Sequence, residues 1–129
     1  MRVMNRHLHS RYDQVVPFIT KDGSIIRELM HPSAQGNHHQ SLAEALVPPR
    51  GATLPHRHQR SEEIYHFTAG SGLMRLGEEQ FSVNAGDTVC IPPGVVHALS
   101  NPGERELRLL CCSSPPYNDD DTELFQELA

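Results

Sequence analysis

The segment PHRHQRSEEIYHF carries two histidines one residue apart, followed after a short polar run by two adjacent glutamates. On a β-strand, residues two apart face the same way, about 6.6 Å apart along the backbone. His56 and His58 can therefore aim both imidazoles at one point, with Arg57 on the opposite face. Such a pair could bind a metal ion together with Glu62 or Glu63. In a chain with nine histidines, a solvated or hydrogen-bonded pair is the alternative.

A third histidine follows a turn in the segment GDTVCIPPGVVHALSN. Pro92, Pro93 and Gly94 are expected to turn the chain, so that His97 begins a new strand. His97 could then face the first pair, which would bring three imidazoles to one site.

The spacing around His97 resembles the second motif of the cupin superfamily. That motif runs glycine, five residues, proline, one residue, glycine, two residues, histidine, three residues, asparagine. Gly86, Pro92, Gly94, His97 and Asn101 match every fixed position. Because agreement at five fixed positions rarely arises by chance in a chain of 129 residues, the resemblance is specific.

The first cupin motif is also present, with one departure. It expects glycine, five residues, H-x-H, three or four residues, glutamate, six residues and glycine. His56, His58, a glutamate and Gly70 fit this pattern. Only four residues separate Gly51 from His56, so Arg50 stands at the expected glycine position and the local turn is expected to differ slightly.

The resemblance implies an all-β fold, namely a small antiparallel β-barrel of the cupin jelly-roll type with a metal ion held inside. Three neutral imidazoles and one carboxylate suit one divalent transition metal ion such as Fe, Mn, Ni, Cu or Zn. On a six-coordinate metal they leave two positions for water, dioxygen or a bidentate substrate. A structural zinc site would instead be closed.

Two observations select Glu63 rather than Glu62 as the carboxylate ligand. The residues QRS turn the chain, so the next strand must be read by its own faces. Glu63 shares a face with Tyr65 and Phe67, which suits a barrel interior, whereas Glu62 falls on the opposite face. The cupin spacing agrees, since six residues lie between Glu63 and Gly70. The predicted metal ligands are therefore His56, His58, Glu63 and His97.

Three further side chains are candidates for contacts near the metal. Tyr65 could offer a hydroxyl there, with core packing as the alternative role. Arg50 and Arg60 lie in loops near the first motif and could bind a substrate carboxylate, with solvation as the alternative. Nothing in their spacing selects between the two arginines.

The whole chain alternates short apolar runs with turns rich in glycine and proline, which is typical of an all-β protein. So many short strands call for a sandwich or a closed barrel. An N-terminal segment, 1–23, is expected to precede a barrel domain at 24–116. Residues 117–129 are expected to form an acidic tail, in which DTELFQEL could form one short helix capped at Asp121 or Thr122. The predicted strands span residues 24–30, 40–47, 53–58, 62–68, 72–76, 80–83, 87–91, 96–100 and 106–111.

Length and charge restrict the partners of this chain. Its 129 residues indicate one domain, and a net charge of −5 gives no extended basic surface for nucleic acid or an anionic membrane. The N-terminus is too polar for a signal peptide, and no run approaches the ~20 apolar residues of a spanning helix. The protein is therefore expected to be soluble and cytoplasmic. Cys90, Cys111 and Cys112 are expected to be reduced packing residues.

The expected function is that of a metal-dependent cupin enzyme acting on a small polar or acidic organic molecule. The resemblance allows dioxygenase, decarboxylase, isomerase or lyase chemistry. The alternative is a metal-dependent module that binds or senses a small molecule without turnover.

The strands at 24–30 and 40–47 are expected to pair across a two-fold axis and form a homodimer.

Overall fold

Alternation of buried and exposed side chains determines how these strands pack. Every second side chain is buried along Glu62–Ala69, and Leu107–Ser114 shows the same pattern. A strand with one apolar face must pack that face against a second layer. In the computed structural model, which describes residues 8–125, eleven strands do so in two sheets.

The strands are short and connected mostly by tight turns. Helical structure within residues 8–125 is limited to α1 (Pro32–Gln35) and to 3-10 turns at Tyr12–Gln14 and Asp119–Asp121. None of these helical segments is long and apolar enough to cross a lipid bilayer. In chain order the strands are β1 (Phe18–Ile19), β2 (Ile25–Met30), β3 (Ser41–Val47), β4 (His56–His58), β5 (Glu62–Ala69), β6 (Ser71–Leu76), β7 (Glu79–Asn84), β8 (Thr88–Ile91), β9 (His97–Ser100), β10 (Leu107–Ser114) and β11 (Thr122–Leu124).

Strands that are distant in sequence become neighbours in both sheets. The six-stranded sheet has the order β1-β2-β3-β10-β5-β8, and the five-stranded sheet has the order β11-β4-β9-β6-β7. Every pairing among them is antiparallel. This topology confirms the predicted all-β jelly-roll barrel.

The apolar core combines inward-facing residues from both sheets. Phe67, Leu107 and Leu109 from the larger sheet are fully buried, as is Met74 from the smaller one. Burying each such side chain contributes about 1.5–3 kcal/mol to stability. This core fixes the strand register and with it the direction in which every polar inward residue points.

The nine predicted strands are present as β2 to β10, with differences at their ends. The stretch predicted at 53–58 pairs as a strand only from His56, because Leu54 donates its N–H to the Asp22 carbonyl and Pro55 has no N–H to donate. β10 continues to Ser114, because it pairs with β3 on one side and with β5 on the other.

The prediction of a helix near the C-terminus is wrong for residues 122–124. These residues form β11, which pairs antiparallel with β4. Asp121, expected in a solvated tail, is buried, and its carboxylate accepts hydrogen bonds from the N–H groups of Arg60 and Ser61. Strand pairing and this buried contact outweigh the local preference for a helix. Residues 126–129, the rest of the predicted helix, lie outside the described residues.

The two strands expected to pair across a two-fold axis pair with each other instead. β2 lies between β1 and β3, and β3 lies between β2 and β10. Neither is an edge strand, so the edge on that side of the sheet is the two-residue strand β1.

Arg50 occupies a position that favours glycine. Its φ angle is 63°, in the left-handed region. The turn is closed by the N–H of Gly51, which donates to the carbonyl of Pro48 at 2.9 Å. A positive φ at the third residue is the feature of a type II turn. Arg50, which stands where the cupin motif expects glycine, therefore carries backbone strain.

We expect Arg50→Gly to raise the free energy of unfolding by about 1 kcal/mol, because a left-handed conformation is costly for a residue with a Cβ. The measurement is urea unfolding in the presence of a chelator. Arg50→Ala is the control, since it keeps the Cβ and removes only the exposed ion pair with Glu104 at 3.6 Å. An exposed pair of this kind contributes at most about 1 kcal/mol, and its loss is common to both variants. Equal stability of the glycine and alanine variants would contradict strain at this position.

Candidate metal centre

Pairing of β4 with β9 brings the three histidines together. His56 and His97 are direct cross-strand partners, and their ring centroids lie 4.2 Å apart. His58 lies on the same face of β4 as His56, whereas Arg57 points outward and pairs with Glu123. The three rings are buried, and one ring nitrogen of each lies within 4.8 Å of the other two.

Backbone carbonyls orient two of the imidazoles. Nδ1 of His56 donates to the carbonyl of Leu54 at 2.9 Å, and Nδ1 of His97 donates to the carbonyl of Val95 at 3.0 Å. A carbonyl oxygen only accepts, so the proton of each neutral ring resides on Nδ1. Nε2 of both rings is then left with a lone pair, as metal ligation requires.

A threonine hydroxyl orients the third imidazole. Thr122 donates its hydroxyl to the carbonyl of Asn118, so its oxygen is free to accept from Nδ1 of His58 at 3.0 Å. Thr122 is the cross-strand partner of His58 in the β11–β4 pair. The strand that was predicted to be a helix therefore supports a predicted ligand.

Glu63 adds a carboxylate to the three ring nitrogens. Its Oε1 lies 3.0 Å from Nε2 of His58 and 3.4 Å from Nε2 of His97. Its Oε2 accepts a hydrogen bond from the hydroxyl of Ser113 at 3.2 Å, and the two residues are partners in the β5–β10 pair. Ser113 therefore positions the carboxylate with Oε1 toward the histidines. The inward face predicted for Glu63, Tyr65 and Phe67 is the buried face of β5.

The donor atoms fit a metal ion. Nε2 of His58, Nε2 of His97 and Oε1 of Glu63 are buried, and none has a partner with hydrogen-bond geometry. A buried polar atom without a partner costs about 1–3 kcal/mol. One cation placed among these atoms would satisfy all of them, and imidazole with carboxylate is a donor set that divalent transition metals accept.

Burial and mutual contact shift the pKa values of these groups. Burial acts to raise the pKa of Glu63, but the close approach of His58 and His97 outweighs it and holds that pKa well below its ordinary range. Burial and the neighbouring His97 lower the pKa of His56 to about 4. Burial also acts to lower the pKa of His58, but the interaction with Glu63 outweighs burial and raises this pKa. At neutral pH, Glu63 is ionised and His56 is neutral.

His56, His58 and Glu63 line a cavity that opens to solvent. Asp22 and Glu28 also line it, so that with Glu63 it carries three carboxylates, and neither lysine nor arginine is among the residues described along its wall. Oε1 of Glu28 is buried without a hydrogen-bond partner, and burial raises the pKa of this side chain. Sequence reasoning missed both residues, because Asp22 precedes a glycine in a turn and Glu28 lies in a strand with polar neighbours.

The other predicted site residues lie in different surroundings. Tyr65 is buried in the cavity wall with its ring centroid 5.8 Å from that of His97, and burial raises the pKa of its hydroxyl well above the ordinary value. Arg50 is exposed beside Glu104, and Arg60 is exposed with its Nε 3.3 Å from the carboxylate of Asp121. The structure brings neither arginine to the cavity wall. Cys111 lines the cavity, whereas Cys90 is exposed rather than packed.

Comparison with known proteins agrees with the geometry. The Cupin domain family model matches residues 43–113. The protein MJ1618 of Methanocaldococcus jannaschii is 51% identical over 119 residues, which cover 92% of this chain and 95% of the relative.

Solved structures share the fold at low sequence identity. The nucleoside dehydratase Pac13 of Streptomyces superposes with a TM-score of 0.73 at 16% identity, covering 92% of this chain and 91% of Pac13. The oxalate decarboxylase of Lactobacillus farciminis, solved as a formate complex, superposes with a TM-score of 0.76 at 20% identity, covering 88% of this chain and 34% of the enzyme. Since the family model spans more than half of the chain and includes all three histidines, the chain belongs to the cupin family.

Proposed function

We propose that this cupin is a metal-dependent enzyme that binds one divalent transition metal ion through His56, His58, Glu63 and His97. The observation that carries the proposal is the convergence of three buried imidazoles, together with the lack of any hydrogen-bond partner for Nε2 of His58, Nε2 of His97 and Oε1 of Glu63. Fe, Mn, Ni, Cu and Zn all accept this donor set. When bound, such a metal supplies Lewis-acid or redox chemistry at its open positions.

The cavity supports a small polar molecule as the substrate. Its wall combines apolar residues with polar groups that can orient hydroxyls, among them the unpartnered Oε1 of Glu28 and the protonated hydroxyl of Tyr65. An acidic substrate would find no arginine or lysine along the described wall, so only the metal could neutralise its charge. These residues would bind and orient the substrate beside the metal.

Two of the proteins that share this fold, a nucleoside dehydratase and an oxalate decarboxylase, are enzymes, and this likeness favours enzymatic turnover over simple binding. Metal-loaded protein should convert at least one member of a panel of small neutral polyols, sugars, nucleosides and carboxylic acids, as followed by NMR. Ligand-induced line broadening with no product from any member would indicate a binding module instead.

Replacing Glu63 with alanine should lower the metal content of the purified protein at least tenfold, because the buried site then loses its carboxylate. Metal content is measured by inductively coupled plasma mass spectrometry after purification without a metal-affinity resin. Glu62→Ala is the matched control on the exposed face of the same strand. It should retain the metal and change stability by no more than about 0.5 kcal/mol. Loss of metal from the Glu62 variant alone would overturn the ligand assignment.

The stabilisation that metal gives should increase with pH. In metal-free protein the pKa of His58 is raised above its unfolded value, so its stabilising contribution is present below about pH 6.5 and lost as pH rises through the folded pKa. Metal requires the neutral ring and therefore competes with this proton. His56, with its pKa lowered to about 4, is neutral throughout this range.

We therefore expect the metal-induced rise in melting temperature to be small at pH 5.5 and larger at pH 8. Paired melting curves with metal and with chelator measure it. Glu63→Gln removes the carboxylate that raises the pKa of His58, so the pH dependence of its residual metal binding should move to lower pH. A rise in melting temperature that is the same at every pH would contradict competition with a proton.

We also propose that the protein is a homodimer formed through the β1 edge. Val16, Phe18 and Ile19 are exposed apolar residues at or beside this edge, with exposed fractions of 80%, 49% and 73%. Within residues 8–125 no strand pairs with the outer edge of β1, and such an edge next to exposed apolar side chains favours association. Light scattering at micromolar concentration should give twice the 14.4 kDa chain mass.

Ile19→Lys should shift the scattering mass to that of one chain. Ile64→Lys is the control, because Ile64 is also an exposed apolar residue but lies on the outer face of β5. A single-chain mass for the wild type would refute the dimer.

A further inference from the structure

Asp22 places a second carboxylate beside the candidate metal ligands. It lies in the turn between β1 and β2, outside both cupin motifs. Its Oδ2 is 3.4 Å from Nε2 of His56, and its side chain is 14% exposed. Nε2 is the cavity-facing atom of this ring, since Nδ1 donates to Leu54.

This contact is not a hydrogen bond of the neutral ring. With its proton on Nδ1, His56 has a lone pair at Nε2, and a carboxylate oxygen also presents lone pairs. Two acceptors that face each other at 3.4 Å repel unless a cation lies against both. The same relation holds between Glu63 and His97, whose Oε1 and Nε2 are also 3.4 Å apart.

The spacing agrees with two neighbouring ligands of one metal ion. Nitrogen and oxygen ligands lie at roughly 2.1 Å from such metals, so two ligands at right angles are roughly 3 Å apart. The Asp22–His56 separation is comparable to those that Glu63 makes with His58 and His97, which are 3.0 and 3.4 Å.

The turn holds Asp22 in this orientation before any ligand arrives. Its Oδ1 accepts three hydrogen bonds, from the hydroxyl of Thr20 at 2.7 Å and from the N–H and hydroxyl of Ser24 at 2.9 and 2.7 Å. Its carbonyl accepts from the N–H of Leu54, two residues before His56, at 2.8 Å. Oδ1 is therefore fully engaged, and Oδ2 is left to face the cavity.

The charge of the cavity also favours a bound cation beside Asp22. Asp22 shares it with Glu28 and Glu63, and no arginine or lysine is among its described lining residues. Enclosing carboxylates without a counter-charge is unfavourable, and a divalent cation offsets two of them.

We propose that Asp22 is a fifth protein ligand of the metal. This inference rests on the proposed metal centre. With two carboxylates against one divalent cation, the loaded centre would carry no net charge, and on a six-coordinate ion the five protein ligands would leave one position open rather than two. Such a centre would attract anions less than a three-histidine, one-glutamate centre would, which favours an uncharged polar molecule as the substrate.

Asp22→Asn tests this ligand with little change to the fold. The amide keeps an Oδ1 that accepts from Thr20 and Ser24, and it replaces only the metal-facing oxygen with a group that donates. In competition with a chelator, the variant should bind Co²⁺ at least tenfold more weakly than the wild type. Glu28→Gln removes a carboxylate from the same cavity without a contact to the ring nitrogens, and it should change the affinity for Co²⁺ less than threefold.

Melting curves in chelator separate this role from an ion pair with a protonated His56. If Asp22 is a metal ligand, metal-free Asp22→Asn should melt at or above the wild-type temperature, because the amide relieves the repulsion with Nε2 of His56. A lower melting temperature without metal, an unchanged affinity for Co²⁺, or equal losses in the Asp22 and Glu28 variants would overturn the proposal. Failure of the wild type to bind Co²⁺ would instead overturn the metal centre itself.

Discussion

The pairing of β4 with β9 is the constraint on which the site depends. Direct opposition of His56 and His97 places two imidazoles in contact inside the barrel. The alternation of β4 then directs His58 to the same side, and the β5–β10 register supplies Glu63. Burying each of these polar groups carries a desolvation cost that the surrounding apolar core must offset. The core built around Phe67, Leu107 and Met74 thus maintains both the fold and the donor geometry.

Segments at the two ends of the described chain complete the surroundings of the histidines. β11 brings Thr122 to Nδ1 of His58, and the β1–β2 turn brings Asp22 to Nε2 of His56. Neither residue belongs to a cupin motif. Because groups around the first ligands tune orientation, basicity and charge, two chains with the same motifs can differ in their chemistry. The surroundings of the three histidines in this protein therefore depend on β11 and on the β1–β2 turn as well as on the cupin motifs.

Sequence reasoning succeeded where one local rule decided the outcome. Period-two alternation and motif spacing both assigned Glu63 to the interior, and its burial agrees. It failed where contacts between residues distant in the sequence determine the local structure. The acidic residues before Thr122 read as the start of a helix, but pairing with β4 made a strand. Asp22 read as an ordinary turn residue, and only the three-dimensional fold shows that the turn rests against the strand that carries His56.

The distribution of charge links stability to chemistry. The two arginines that could have bound a substrate carboxylate lie outside the cavity, beside Glu104 and Asp121, while Asp22, Glu28 and Glu63 lie along its wall. In the absence of a cation, Oε1 of Glu28, Oε1 of Glu63 and the Nε2 atoms of His58 and His97 are buried without hydrogen-bond partners, which is unfavourable for each of these atoms. A divalent ion reverses the sign of their contribution, because it binds the same lone pairs that otherwise lack partners. Oε1 of Glu63 and the Nε2 atoms of His58 and His97 are therefore unpartnered in the empty barrel and are also atoms that would hold the metal, so the affinity of the centre and the stability of the fold depend on shared contacts.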